Sequence, residues 1–137
     1  MRQILFSLLL ALLLPMAAQA QDVRDANYSM IGRVDSDGTV RDRNYSTIGR
    51  IESDGTIRNR YNSTVGRVES DGTVRDRNNS TLGRIESDGT VRDRNYSTLG
   101  YVKSDGTVRD SSYRTLGYAV NVPQKYAAIL FFFDLLR

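Results

Sequence analysis

The sequence predicts an all-β fold, a closed ring or funnel of five β-hairpin repeats of 17 residues. Three observations carry this expectation. The dipeptide Asp-Gly recurs at Asp37-Gly38, Asp54-Gly55, Asp71-Gly72, Asp88-Gly89 and Asp105-Gly106, always with the same step. A second glycine keeps that step at Gly32, Gly49, Gly66, Gly83, Gly100 and Gly117. No insertion or deletion interrupts the series, as expected of identical units packed in a regular array, where one extra residue would displace every neighbour.

Within each unit Val, Ile, Thr and Tyr dominate and no helical apolar stripe develops, so the local signal is strand. Asp-Gly between β-branched residues signals a hairpin, and the apolar pattern selects its register. A loop of Asp54-Gly55 alone would set Ile51 against Arg58. A three-residue loop, Ser53-Asp54-Gly55, with a type I turn and Gly55 left-handed, sets Ile51 against Ile57. The same register pairs Val34 with Val40, Val68 with Val74, Ile85 with Val91 and Val102 with Val108. Opposed β-branched pairs are the unit of sheet stabilisation, which selects the longer loop.

A second apolar position precedes the other glycine: Ile31, Ile48, Val65, Leu82, Leu99 and Leu116. Ile48 and Ile51 are three apart and would alternate to opposite faces; a β-bulge at Gly49, or a bend where backbones approach closely, reconciles them. Five hairpins run over residues 28–44, 45–61, 62–78, 79–95 and 96–112. Half-units remain at Val23-Arg24-Asp25-Ala26-Asn27 and from Tyr113 to Val120, and these halves are complementary. Paired, they close a ring and remove exposed edges, or make a hybrid sixth petal; an open stack of hairpins leaves them apart.

The unit Asp-Gly-Thr-Val/Ile-Arg-Asp-x-Asn-Tyr-x-Thr-x-Gly-Arg/Tyr-Val/Ile, repeated behind a leader and followed by an aromatic-rich end, resembles the five-fold beta-flower proteins of Bacteroides-type bacteria. The resemblance covers residues 23–137. It implies a small funnel of hairpin petals, exported to the periplasm or cell surface, in a family with no assigned biochemical role and no catalytic residues to carry over.

The organisation follows from composition along the chain. Residues 1–20 read as a cleaved signal peptide: Arg2 in the n-region, an apolar stretch from Ile4 to Leu14, and a small-x-small site at Ala18-Gln19-Ala20. Residues 21–122 form the repeat domain, and 123–137 an apolar C-terminal segment packing on the repeats, bounded by Pro123. From Tyr126 to Leu136 every side chain but Asp134 is apolar, yet the run is far shorter than a membrane span.

Composition narrows function by exclusion. The chain has no Cys, His or Trp, hence no imidazole base, no thiolate and no usual zinc ligand set. Paired carboxylates such as Glu52 and Asp54 recur in near-identical settings, whereas a catalytic pair needs one asymmetric site that separates two pKa values. The Asp35-Ser36-Asp37-Gly38 turn lacks the glutamate that an EF-hand places six residues after its glycine; Asn44 stands there. No enzyme, metal or cofactor is expected. Basic and acidic residues nearly balance, 19 against 16, without a basic run, so nucleic acid is not an expected partner.

The candidate ligand-binding residues are a rim of tyrosines and arginines: Tyr28, Tyr45, Tyr96 and Tyr113 with Arg41, Arg58, Arg75, Arg92 and Arg109. The tyrosine position becomes Asn62 and Asn79 in two units. The other reading of Arg41-Asp42-Arg43 and its copies is a ladder of ion pairs between adjacent petals. The expected function is an exported, non-catalytic binding or adaptor module of a Gram-negative cell envelope, with a glycan or another envelope protein as partner. The alternative is a purely structural or assembly protein, oligomeric through its C-terminal segment.

Overall fold

The computed structural model describes residues 21–136; the expected leader lies outside them. Twelve short strands form one closed antiparallel barrel. In chain order they are β1 (Asp22–Asp25), β2 (Met30–Val34), β3 (Thr39–Asp42), β4 (Thr47–Ile51), β5 (Thr56–Asn59), β6 (Thr64–Val68), β7 (Thr73–Asp76), β8 (Thr81–Ile85), β9 (Thr90–Asp93), β10 (Thr98–Val102), β11 (Thr107–Asp110) and β12 (Thr115–Tyr118). One helix, α1 (Gln124–Phe132), follows.

Each Ser-Asp-Gly hairpin has the register that its apolar pair demands. Val34 faces Val40, Ile51 faces Ile57, and the same holds through Val102 and Val108. The loop is a turn closed by Gly38 N–H donating to the Asp35 carbonyl at 2.9 Å, and the Asp37 carboxylate accepts the Thr39 N–H at 3.0 Å. Gly55 is left-handed, with φ +92°, and a Cβ there would stand 2.0 Å from the Val68 carbonyl oxygen of the next hairpin. The glycine is needed for both conformation and space.

At the opposite end of the barrel the same turn recurs with different residues. Tyr45 N–H donates to the Asp42 carbonyl at 3.0 Å, while the Asp42 carboxylate accepts the N–H groups of Asn44 and Ser46. Next to it a bulge sets Val40 opposite Gly49 and Arg41 opposite Thr47. The extra residue is Ile48, one position before the glycine, so Gly49 and Ile51 both face inward and Ile48 packs on the edge of the core.

The terminal half-units pair with each other: Arg24 lies opposite Tyr118 and Asp25 opposite Gly117. The ring therefore contains five Ser-Asp-Gly hairpins and a sixth, hybrid pair, which corrects the expectation of five petals and replaces the open stack. The physical reason is the edge: five hairpins alone would leave two strands with unpaired backbone groups.

An eight-stranded barrel is filled by its own side chains, whereas about eleven strands enclose a central helix. The twelve strands here line their interior with Val, Ile and Gly, and α1 supplies the remaining volume. Ala127, Ala128 and Ile129 have at most 1% of their surface exposed and belong to the same core as the strand valines and isoleucines. Gln124 Nε2 donates to the Val102 carbonyl at 2.9 Å and Lys125 Nζ to the Ser70 carbonyl at 3.1 Å, so two widely separated hairpins hold the start of the helix. After this polar start the helix is apolar on every side, as suits a segment whose middle turn is enclosed by the barrel.

The inward glycines receive the end of this segment. A Cβ at Gly117, Gly100 or Gly83 would lie within 2.9 Å of the rings of Phe131, Phe132 and Phe133 respectively. At Gly66 and Gly49 it would meet Leu135 at 3.1 Å and Leu136 at 2.5 Å. Successive C-terminal side chains thus occupy successive repeats around the ring.

Candidate functional site

The outer face of the barrel begins with an electrostatic problem. Arg33 lies directly opposite Arg41, Arg50 opposite Arg58, Arg67 opposite Arg75 and Arg84 opposite Arg92. Like charges facing one another destabilise a sheet. In the first three pairs one acid from the same hairpin loop bridges both arginines, and in the fourth Glu86 takes Arg92. Asp35 accepts from Arg33 Nε at 2.9 Å and Arg41 Nε at 2.8 Å. Glu52 takes Arg50 and Arg58 at 3.0 and 3.2 Å, and Glu69 takes Arg67 and Arg75 at 3.0 and 3.1 Å. Glu86 accepts from Arg92 Nε at 3.1 Å and from the Tyr96 hydroxyl at 2.8 Å. The bonded Arg41 guanidinium holds the Asp35 carboxyl below its ordinary range, and Tyr96, then Arg92, does the same for Glu86.

Four of the expected ligand residues, Arg41, Arg58, Arg75 and Arg92, are the struts of this ladder. Their Nη1 groups also donate to turn carbonyls, those of Tyr45, Asn62, Asn79 and Tyr96. Ion pairs are therefore present; those of the ladder run within a hairpin to the loop acid, and Arg33 also reaches Asp22 on the neighbouring strand pair at 3.5 Å. Asp42 and its equivalents cap their own turns instead of bridging petals, because their short carboxylates reach backbone N–H groups two and four residues on.

Two adjacent strand pairs depart from the ladder. In β10–β11 the first arginine is replaced by Tyr101, opposite Arg109, and the loop acid by Lys103. In β12–β1 the arginine is replaced by Tyr118, opposite Arg24, and Val120 stands at the acid position. Each new tyrosine meets a turn tyrosine edge to face, Tyr101 with Tyr113 at 5.5 Å and Tyr118 with Tyr28 at 5.3 Å between ring centres. Arg109 lies 4.7 Å from the centre of the Tyr113 ring and Arg24 lies 4.8 Å from that of Tyr28. Lys103 Nζ donates to the Tyr113 hydroxyl, a bond that lowers the phenol's pKa from its usual 10.0. Arg109 Nη1 donates to the Tyr113 carbonyl and to Thr115, each at 3.1 Å, but its Nε is buried with no partner. Beside them an open pocket of about 350 Å³ is lined by Ser87, Asp88, Tyr101, Lys103, Ser104 and Tyr113.

Tyr101, Lys103 and Tyr118 were not among the residues that the repeat pattern singles out as a rim. The signal for them is departure from the consensus, visible only once the role of the replaced arginine and acid is known.

The turn tyrosines share one unusual property. Tyr28, Tyr45, Tyr96 and Tyr113, with Asn62 and Asn79, all adopt φ between 65° and 69°. This is the position glycine fills in the Ser-Asp-Gly turns, and a bulky residue there costs about 1 kcal/mol or more. Asparagine tolerates it, which accounts for the two exchanges. Tyr45, 57% exposed, shows the cost most simply. Tyr45→Gly is expected to raise stability by about 0.5–1 kcal/mol in urea unfolding, the relief of strain exceeding the added chain entropy.

Among the described residues no group of three or more acids is placed to hold a metal ion, and no helix is long and apolar enough to cross a membrane. Neither a curated protein nor a solved structure matches the chain. A family model described as 5-fold beta-flower protein matches residues 20–134, which span the repeats, the closing strand pair and nearly all of the C-terminal segment. The chain belongs to the 5-fold beta-flower protein family.

Proposed function

We propose that the protein is an exported, non-catalytic binding module of the cell envelope, with its ligand docking on the tyrosine-rich face over β10, β11, β12 and β1. The observation that carries this reading is the left-handed turn position. Glycine fills the same turn at the other end of the barrel, yet tyrosine occupies four of the six copies here, 49–60% exposed. Strain kept on exposed aromatic side chains is characteristic of binding surfaces, where stability is traded for contact. The non-catalytic reading rests on a chain without His or Cys and on loop carboxylates held by near-identical bonds from repeat to repeat. Export to the periplasm or surface of a Gram-negative bacterium rests on the leader-like residues 1–20.

A pull-down on cell-wall and capsular polysaccharides, followed by titration, tests this. Saturable binding is expected, weakened roughly tenfold or more by Tyr101→Ala with Tyr118→Ala, because truncating an aromatic anchor at the centre of an interface costs about 2 kcal/mol or more. Binding that survives both substitutions would remove this face from the proposal. The alternative, a structural protein that assembles through its C-terminal segment, draws on the half-buried Leu130, Phe131 and Phe132 at the barrel mouth.

A further inference from the structure

We infer that the β10–β11 hairpin takes up a carboxylate borne by an acidic saccharide, in the place that a loop acid fills in four other hairpins. The inference rests on the binding-module reading and names its ligand class. In the hairpins of Asp35, Glu52, Glu69 and Glu86, the Nε of the second arginine donates to that acid at 2.8–3.2 Å. Lys103 replaces the acid in the fifth, and Arg109 Nε is left buried and unbonded. Burying such a donor without a partner is unfavourable, and a charge-assisted bond to an incoming carboxylate repairs it. Lys103 adds a second cation beside it and, with three donors, has bonds to spare after the one to Tyr113.

The nearby acids do not already serve this role. Asp88 and Asp105 each accept the N–H of the threonine two residues on at 2.9 Å, closing their own turns. Tyr113 covers the Arg109 guanidinium, so entry of a carboxylate requires that ring and the Lys103 ammonium to swing outward. Both are side chains on the solvent face, and Tyr113 is 49% exposed. A saccharide suits the surroundings better than a peptide. The two tyrosine pairs offer rings against which the C–H faces of a pyranose stack. The closed barrel has no free strand edge to which an extended peptide could add.

The test is isothermal titration of the protein with oligogalacturonate, with its neutral methyl ester and with tetraglutamate, repeated on Lys103→Glu. That variant restores the internal acid found in the other hairpins, so it is expected to unfold at the same or a higher temperature. The acidic sugar is expected to bind, and the methyl ester and Lys103→Glu each to weaken binding roughly tenfold or more, the effect of losing a charged hydrogen bond. Equal binding of acid and ester, or no effect of Lys103→Glu, overturns the carboxylate site while leaving the binding module standing. Tighter binding of tetraglutamate overturns the saccharide. Binding of none of the three overturns the inference, and the module reading then stands or falls on the polysaccharide pull-down.

Discussion

Ending the chain at Pro123 is expected to leave a barrel with no cooperative thermal transition. The truncation removes Ala127, Ala128, Ile129 and Phe133, between 0% and 8% exposed, from the centre of the core. Loss of one buried Ile or Phe side chain costs about 2–5 kcal/mol, against a total domain stability of about 5–15 kcal/mol. It also strips the covering from five glycines that have no side chains of their own to fill the gap. Scanning calorimetry with and without a dye that reports exposed apolar surface measures this: a flat trace and dye binding are expected. Assembly through the C-terminal segment predicts a different result, a folded truncated monomer with a sharp transition, and that outcome would move the segment from core to interface.

Gly100→Ala is expected to destabilise by about 3 kcal/mol or more, the upper part of the range for overpacking. Its Cβ would stand 2.3 Å from the Arg109 carbonyl oxygen and 2.6 Å from the Phe132 ring. The ring can be moved, whereas the carbonyl belongs to the next strand of the ladder and cannot move without breaking pairing. Combining Gly100→Ala with Phe132→Ala is therefore expected not to restore stability. Gly32→Ala provides the internal comparison. There the Cβ would stand 2.7 Å from the Arg41 carbonyl, a less severe approach to the strand, so a smaller loss is expected when both variants are unfolded in urea. Equal effects at the two sites would show that closeness to the strand carbonyl does not grade the cost.

Much of the barrel was legible in the chain. Val, Ile and Gly at fixed spacing specify the hairpin register, because only the three-residue loop opposes Ile51 to Ile57. The complementary half-units held the closing pair, although turns alone count five hairpins and the sixth has no turn of this kind. The helix was not legible. Seven consecutive apolar residues, Tyr126 to Phe132, give no periodic signal, and their burial depends on strands far away in sequence. The glycines beside the bulges could be recognised as places of close approach, but not that the side chains from Phe131 to Phe133, Leu135 and Leu136 are what approaches.

The candidate site was legible only in part. Tyr28, Tyr45, Tyr96 and Tyr113 emerge from the repeat as a rim, whereas the left-handed backbone that they share with Asn62 and Asn79 became apparent only in the folded turns. Nothing in one repeat taken alone shows that Arg41 and Arg58 are tied to Asp35 and Glu52, since the partners are brought together by the hairpin. Once those ties are known, Lys103 changes meaning, from one more surface cation to the absence of an acid.

The fit between C-terminal side chains and inward glycines also bears on how many copies the gene can carry. Near-identical units of constant length are readily gained or lost when a gene is copied, and each unit taken alone would fold equally well in a longer or shorter series. Barrel width grows with strand number. Losing one hairpin would leave a lumen too narrow for α1, and adding one would leave a gap beside it. The count is thus set by a segment that does not itself repeat, which acts as a gauge against which any change in copy number is measured.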